Sequence, residues 1–207
     1  MIRCLDIHTH KPAPQPYGVV NADFKDFTPM EGQIYSVGIH PWDTQNLPSN
    51  EEWAKLETVA RMPEIVAIGE CGVDKAKGGL LYKQMIVLNR QVDLSEKIAK
   101  PLILHDVKAH DIVVGLRREK PYTQNWVIHG FRGKPTVAKM LTDAGIYLSF
   151  GEKFNPESLK MVPEHLILAE TDESSLDIQS IITNISEAMG RDMLPAIADN
   201  TLRFLRS

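Results

Sequence analysis

Five short apolar runs, spread from the start of a 207-residue chain to near its end, each stop at an imidazole or a carboxylate. Leu5-Asp6-Ile7 leads into His8 and His10, and Val66-Ala67-Ile68-Gly69 into Glu70. Leu102-Ile103-Leu104 leads into His105, Trp126-Val127-Ile128 into His129, and Leu166-Ile167-Leu168-Ala169 into Glu170-Thr171-Asp172. Runs of this length read as buried strands. A closed parallel barrel gathers the ends of strands that are remote in sequence into one pocket.

The elements between these runs agree with a barrel. Strands are expected over residues 3–7, 34–39, 65–69, 101–104, 125–128, 146–150 and 166–169, with a weaker one at 17–21 after a loop holding Pro12, Pro14 and Pro16. Ser49 or Asn50 caps a helix running to about Arg61, with Glu51 and Glu52 favoured in its first turn by the helix dipole. Residues 80–99 have helical periodicity, with Leu81, Met85, Leu88, Val92 and Ile98 on one face. Residues 109–118 read as helix, and Pro135 opens another that Gly145 ends. Two more close the chain, Ile178–Met189 stopped by Gly190, and Leu194–Leu205. Strands alternating with helices imply a parallel sheet. The expected fold is a distorted (β/α)8 TIM-like barrel, irregular at its first connection, which is too short for a full helix.

Residues 1–207 read as one domain, a length ordinary for a single α/β barrel. A formal charge of −4 argues against generic coating of nucleic acid, though not against a nucleic-acid substrate, because bound divalent ions reverse the local sign. The start Met1-Ile2-Arg3-Cys4-Leu5-Asp6 lacks the layout of a signal peptide, and no apolar run nears the roughly 20 residues of a membrane helix. A cytoplasmic protein without a membrane partner is expected. Cys4 and Cys71 match no zinc signature and read as buried free thiols.

His8 and His10, two apart, point to one face of a strand, and Asp6 shares it. Alone, that pair also suits an exposed strand, and Glu70 alone also suits a salt bridge to a lysine. Ending a buried run, however, a carboxylate needs a partner, and a metal is one. His105 and His129 repeat the arrangement and Asp172 completes it, which makes the six a candidate metal-ligand set. Imidazole and carboxylate ligands together suit Zn, Mn, Fe or Co, with Mg at an oxygen-rich subsite. Six ligands exceed the usual set of one catalytic zinc and suit two ions about 3.5–4 Å apart, with Glu70 as the bridge. A metal-bound water would be the nucleophile and Asp172 its general base. Glu70 and Asp172 are thus the catalytic candidates.

Six motifs carry a family likeness. They are Asp6-Ile7-His8-Thr9-His10, Gly38-Ile39-His40-Pro41-Trp42, Gly69-Glu70-Cys71-Gly72-Val73-Asp74, residues 100–105, His129-Gly130-Phe131-Arg132-Gly133 and Glu170-Thr171-Asp172. With these the chain resembles the TatD-like metal-dependent hydrolases, a branch of the amidohydrolase-like TIM barrels. The resemblance implies one or two divalent ions (Zn, Mn or Mg), His8, His10, Glu70, His105, His129 and Asp172 as ligands, and deoxyribonuclease-type cleavage of phosphodiesters. Single-stranded DNA is the expected substrate, with no obligate protein partner. The chain departs from the family in its compressed segment between residues 10 and 36, in Asp106-Val107 after His105, and in Glu173-Ser174-Ser175 after Asp172.

Lesser candidates surround the six. His40 contacts substrate or shapes the pocket. Trp42 stacks on a base or packs its loop. Arg132, Lys108 and Lys153 follow strand ends and either meet phosphate or are solvated charges. Asp74 orients a histidine or caps the next segment. His110 and His165 receive no role. Two other readings stand beside the nuclease: hydrolysis of a C–N or C–O bond in a small molecule, and a catalytically idle metal-binding barrel kept for partner binding.

Overall fold

Apolar runs bounded by polar turns form the staves of the barrel. The computed structural model describes residues 4–12 and 18–206. Its strands are β1 (Asp6–Thr9), β2 (Gly18–Ala22), β3 (Ile34–Val37), β4 (Ile65–Asp74), β5 (Leu102–Val107), β6 (Trp126–Ile128), β7 (Tyr147–Phe150) and β8 (Ile167–Ala169). They pair in chain order, always in parallel, and β8 pairs with β1 to close the barrel. The expected TIM-like fold is therefore what the chain forms. Strands β6, β7 and β8 are buried at every position, as parallel strands are between a filled interior and an outer layer of helices.

The helices are α1 (Asn50–Ala60), α2 (Leu81–Ile98), α3 (His110–Glu119), α4 (Pro135–Thr142), α5 (Pro156–Met161), α6 (Ile178–Met189) and α7 (Leu194–Leu205). Ser49 and Glu52 form a full capping box at the start of α1, which fixes its first residue. Gly190, at φ 68°, ends α6 in the left-handed conformation that glycine adopts without steric cost. Helix α5 was not expected; Asn155 caps it, accepting from the N–H groups of Glu157 and Ser158. A register shift in the β1–β2 pairing, between Asp6 and Thr9, flanks the short first connection, and the β3–β4 and β4–β5 pairings carry shifts as well. Arg3, Pro14, Pro16 and Tyr17, which belonged to the expected first strands and loop, lie outside the described residues.

Two expectations need correction. Strands β4 and β5 do not end at Gly69 and Leu104 but run to Asp74 and Val107, because residues 71–74 pair with residues 104–107. Gly72 permits that pairing: at φ 146° its Cα lies so close to β5 that a Cβ would fall 2.0 Å from the His105 carbonyl oxygen. The buried face of α2 also differs. Leu81 is 43% exposed, whereas Gln84 and Gln91 are buried. Their amides serve loops at the barrel mouth: Gln91 accepts from Ile39 N at 2.7 Å and donates to Ile39 O at 3.1 Å, and Gln84 accepts from Asp74 N at 2.8 Å.

Cys4 and Cys71 are buried and free, as expected, and burial pushes the Cys4 thiol up to about 12. No helix among the described residues is long and apolar enough to cross a membrane.

Candidate metal centre

The six expected residues meet at the C-terminal rim of the barrel, with Glu70 in the middle. Its Oε1 lies 2.7 Å from His105 Nδ1, 2.7 Å from His129 Nε2 and 3.1 Å from His40 Nε2. Its Oε2 faces the other way, 3.5 Å from His8 Nε2 and 3.7 Å from His10 Nε2. Asp172 Oδ1 closes that second group, 3.7 Å from His8 Nε2 and 3.6 Å from His10 Nε2. One carboxylate thus stands between two clusters of imidazoles.

The barrel holds these groups through the backbone. Asn21 on β2 accepts the Glu70 N–H at 2.9 Å. Asp172 has φ 51°, a left-handed conformation that Asp tolerates better than most residues, and two hydrogen bonds lock it there. Its N–H donates to His8 O at 2.9 Å, and its carbonyl accepts from His10 N at 3.3 Å. Nearby, Asp6 accepts from the N–H of Thr171 at 3.0 Å and from its hydroxyl at 2.6 Å, tying β1 to the end of β8. Asp6 is therefore a seam fastener, and burial raises its carboxyl to about 7.

Two further carboxylates back the imidazoles. Asp74 Oδ2 lies 3.2 Å from His105 Nε2, and Glu170 Oε1 lies 3.6 Å from His129 Nδ1. Carboxylates behind ligating histidines fix ring orientation and tautomer. Asp74 performs both roles read for it, since its Oδ1 also accepts from the N–H groups of Ala76 and Lys77. Glu170 was missed as a separate residue. The available signal was its position as the first charge after Leu166-Ile167-Leu168-Ala169, just as Glu70 is after its own run.

The electrostatics follow from crowding. Burial alone would raise the Glu70 carboxyl, but hydrogen bonds from His10, His105, His129 and His40 hold it far below the ordinary range. Burial, with the charge of His129 beside it, lowers His8. Burial also opposes protonation of His129, yet Glu170 and Glu70 hold it well above its ordinary value. At Asp74 and Glu170 burial is likewise outweighed, at Asp74 chiefly by the Trp42 indole and at Glu170 by His129.

The donor set fits a divalent cation. His8 is wholly buried, and neither of its ring nitrogens has a hydrogen-bond partner. Both oxygens of the buried Glu170 likewise lack a partner at hydrogen-bond distance, Oε1 meeting His129 Nδ1 only at 3.6 Å. Orphaned buried polar groups are rare in folded proteins and call for a partner such as an ion. Four trios here bring one ligand atom each within 4.8 Å of one another: His8, His10 and Asp172; His8, Glu70 and His129; His40, Glu70 and His105; His129, Glu170 and Asp172. Mixed imidazole and carboxylate donors match the Zn, Mn, Fe and Co preference.

The lesser candidates separate. His40 belongs to the centre, and its Nδ1 also accepts from Trp42 N at 3.1 Å, capping the 3-10 turn Pro41–Asp43. An open cleft of about 720 Å³ runs from Glu70, His10 and His40 past Trp42 towards Phe24 and Lys25. Arg132 and Lys153 line a smaller cavity of about 220 Å³ beside Asp172 and Glu170. Lys108 is exposed, with φ 56°, and lines neither cavity. His110 starts α3 and meets Asp106 Oδ2 at 2.5 Å, and His165 lies in the 3-10 turn Glu164–Leu166.

Fold and rim together define a TIM barrel with a candidate metal centre at the C-terminal ends of its strands. The family described as "TatD related DNase" matches residues 27–198, and the chain belongs to that family. An "Uncharacterized metal-dependent hydrolase" of Buchnera aphidicola is 31% identical over 153 residues, 69% of this chain and 57% of that protein. A "3'-5' ssDNA/RNA exonuclease TatD" of Erwinia billingiae is 30% identical over 148 residues, 66% of this chain and 56% of that protein. The chain thus spans under three fifths of the length of these relatives. The crystal structure of the TatD homologue YJJV of Escherichia coli superposes with a TM-score of 0.79 at 19% identity, covering 98% of this chain and 97% of that one, and shows the shared fold.

Proposed function

We propose that this chain is a metal-dependent hydrolase of the TatD type that cleaves phosphodiester bonds of single-stranded nucleic acid, with residues 1–207 acting as one hydrolase domain. The observation that carries the reading is Glu70, whose two oxygens face separate imidazole groups, His105 and His129 on one side and His8 and His10 on the other. Such a carboxylate would offer one oxygen to an ion held with His105 and His129 and the other to an ion held with His8 and His10.

When bound, a divalent ion lowers the pKa of a water ligand towards about 7 and neutralises charge on a phosphoryl oxygen. The chain's own residues do the rest. Glu70, His8, His10, His105, His129 and Asp172 would hold the ion or ions. Asp74 and Glu170 keep the rings of His105 and His129 turned towards Glu70. Asp172, 30% exposed at the rim, is the carboxylate with access to solvent and acts as general base towards the attacking water. Arg132 and Lys153 offer donors to phosphate oxygens beside it.

The likeness to the ssDNA/RNA exonuclease of Erwinia billingiae supports the nucleic-acid substrate. One observation favours a smaller, less anionic substrate: the large cleft is lined by Asp23, Asp43 and Glu52, and its Lys25 is paired with Glu52 at 3.2 Å. Small-molecule C–N or C–O hydrolysis is therefore the second reading. A cytoplasmic location and action without an obligate protein partner complete the proposal.

The test is metal analysis of the purified protein, followed by chelation and reconstitution with Zn, Mn or Mg. Each form is assayed on short single-stranded oligonucleotides and on a panel of amides and lactones. Metal-restored cleavage of oligonucleotides is the expected result. Turnover confined to the amides or lactones establishes the second reading, and metal binding without any turnover establishes an idle barrel.

A further inference from the structure

Trp42 sits at the wall of the large cleft, 41% exposed, in the turn that follows β3. Its indole N–H donates to Asp74 Oδ2 at 2.7 Å. The same oxygen lies 3.2 Å from His105 Nε2, and the opposite nitrogen of that ring, Nδ1, lies 2.7 Å from Glu70 Oε1. The series Trp42, Asp74, His105, Glu70 is thus continuous, from a side chain open to the cleft to the middle of the metal centre. The rest of Asp74 is anchored: its Oδ1 accepts from Ala76 N at 2.8 Å and Lys77 N at 2.9 Å.

We propose that Trp42 is a positioning residue for His105, acting through Asp74, so that the indole N–H decides how firmly His105 presents Nδ1 to the ion. An indole N–H only donates and does not ionise, so it cannot accept the His105 proton in place of Asp74. It holds Oδ2 on the line where that oxygen would accept Nε2–H, so that Nδ1, which without an ion hydrogen-bonds Glu70, would offer its lone pair once an ion takes the place of that proton. Which imidazole nitrogen binds a metal is set by the hydrogen bond the other nitrogen makes.

This role differs from base stacking and from loop packing. The Lys77 ammonium lies 3.2 Å from the centroid of the Trp42 ring and already occupies one of its faces. The ring edge that bears the N–H turns inward to Asp74. A ligand entering the cleft meets a Trp42 that reaches His105 through Asp74 by two hydrogen bonds and also packs edge-on against its ring, 5.7 Å between centroids.

The inference rests on the metal-dependent reading, and its test separates the two. Metal-depleted protein is titrated with zinc by calorimetry, while the indole N–H resonance of Trp42 is followed by proton–nitrogen correlation. Zinc is expected to shift that resonance in the wild type and not in Asp74→Ala. Trp42→Phe, which keeps a ring but lacks the donor, is expected to weaken zinc binding about tenfold and to lower kcat on an oligonucleotide by a similar factor, with KM nearly unchanged. Trp42→Gln, which restores a donor without a ring, should recover most of the zinc affinity. Zinc binding with an unmoved Trp42 resonance, or wild-type zinc affinity in Trp42→Phe, overturns the role of Trp42 and leaves the metal reading standing. A wild type that binds no zinc, manganese or magnesium overturns both.

Discussion

The main-chain N–H of Asp172 donates to the carbonyl oxygen of His8 at 2.9 Å, across the seam where the last strand meets the first. Closing the barrel and assembling the centre are therefore one event. The groups of His8, His10 and Asp172 come within reach of an ion only once β8 has docked on β1. Site integrity and barrel closure should rise and fall together.

Asp172→Asn keeps the shape of the side chain and tolerates φ 51°, but cannot take a proton. It should cost at least about 100-fold in metal-dependent turnover with the fold retained. His105→Ala should cost as much by removing the side chain between Glu70 and Asp74. Steady-state assays beside circular dichroism check both, and full turnover in either variant would sink the hydrolase assignment.

Chelation should soften the seam. An ion that binds the folded state alone stabilises it by about 2.7 kcal/mol at a hundredfold excess over its Kd. For a chain of this size that corresponds to roughly 5–10 °C in Tm. Thermal melts with chelator and with restored zinc or manganese measure it, and equal midpoints would count against a structural ion at the rim.

Gly72→Ala should be severe for a buried strand position. The added Cβ would fall 2.0 Å from the His105 carbonyl oxygen, so β4 and β5 must part. Overpacking of this kind costs about 1–3 kcal/mol or more, and the φ of 146° adds strain for any side chain. Urea unfolding reads the loss of stability. A parallel fall in metal affinity would show that His105 has moved with its strand.

The His110–Asp106 pair sets a pH dependence at the start of α3. The hydrogen bond to Asp106 raises His110 above its ordinary value, with half-burial opposing it. Between the ordinary pKa of about 6.5 and the raised one, the folded chain holds a proton that the unfolded chain has released. The stabilisation is therefore complete below the lower value and disappears as pH rises through the upper one. His110→Gln should be less stable than wild type at pH 6 and converge with it in alkaline buffer. Chemical denaturation across pH, with the His110 ring titrated by NMR, tests the sign.

Much of this protein was legible from local pattern. The last two helices match their expected bounds, Ile178–Met189 and Leu194–Leu205, because periodicity and the Gly190 stop are properties of neighbouring residues. The barrel was legible for a related reason: a strand buried on both faces must be an apolar run, and His8, Glu70, His105, His129 and Asp172 all stand where such runs give out. Tertiary structure alone decided the rest. Gly69 and Gly72 make this stretch a poor strand former, and the ladder to residues 104–107 carries residues 71–74 on as strand. Gln91 is buried because a loop 52 residues away offers its amide two hydrogen bonds, and Gln84 because the turn that precedes its own helix folds back onto its amide. Asp74 meets Trp42 and His105 from separate strand ends, and Glu170 after β8 backs His129 after β6, across the strand between them. Hydrophobic periodicity reports whether a side chain is buried; which partner it finds there depends on the closure of the sheet, which brings remote residues within bonding distance.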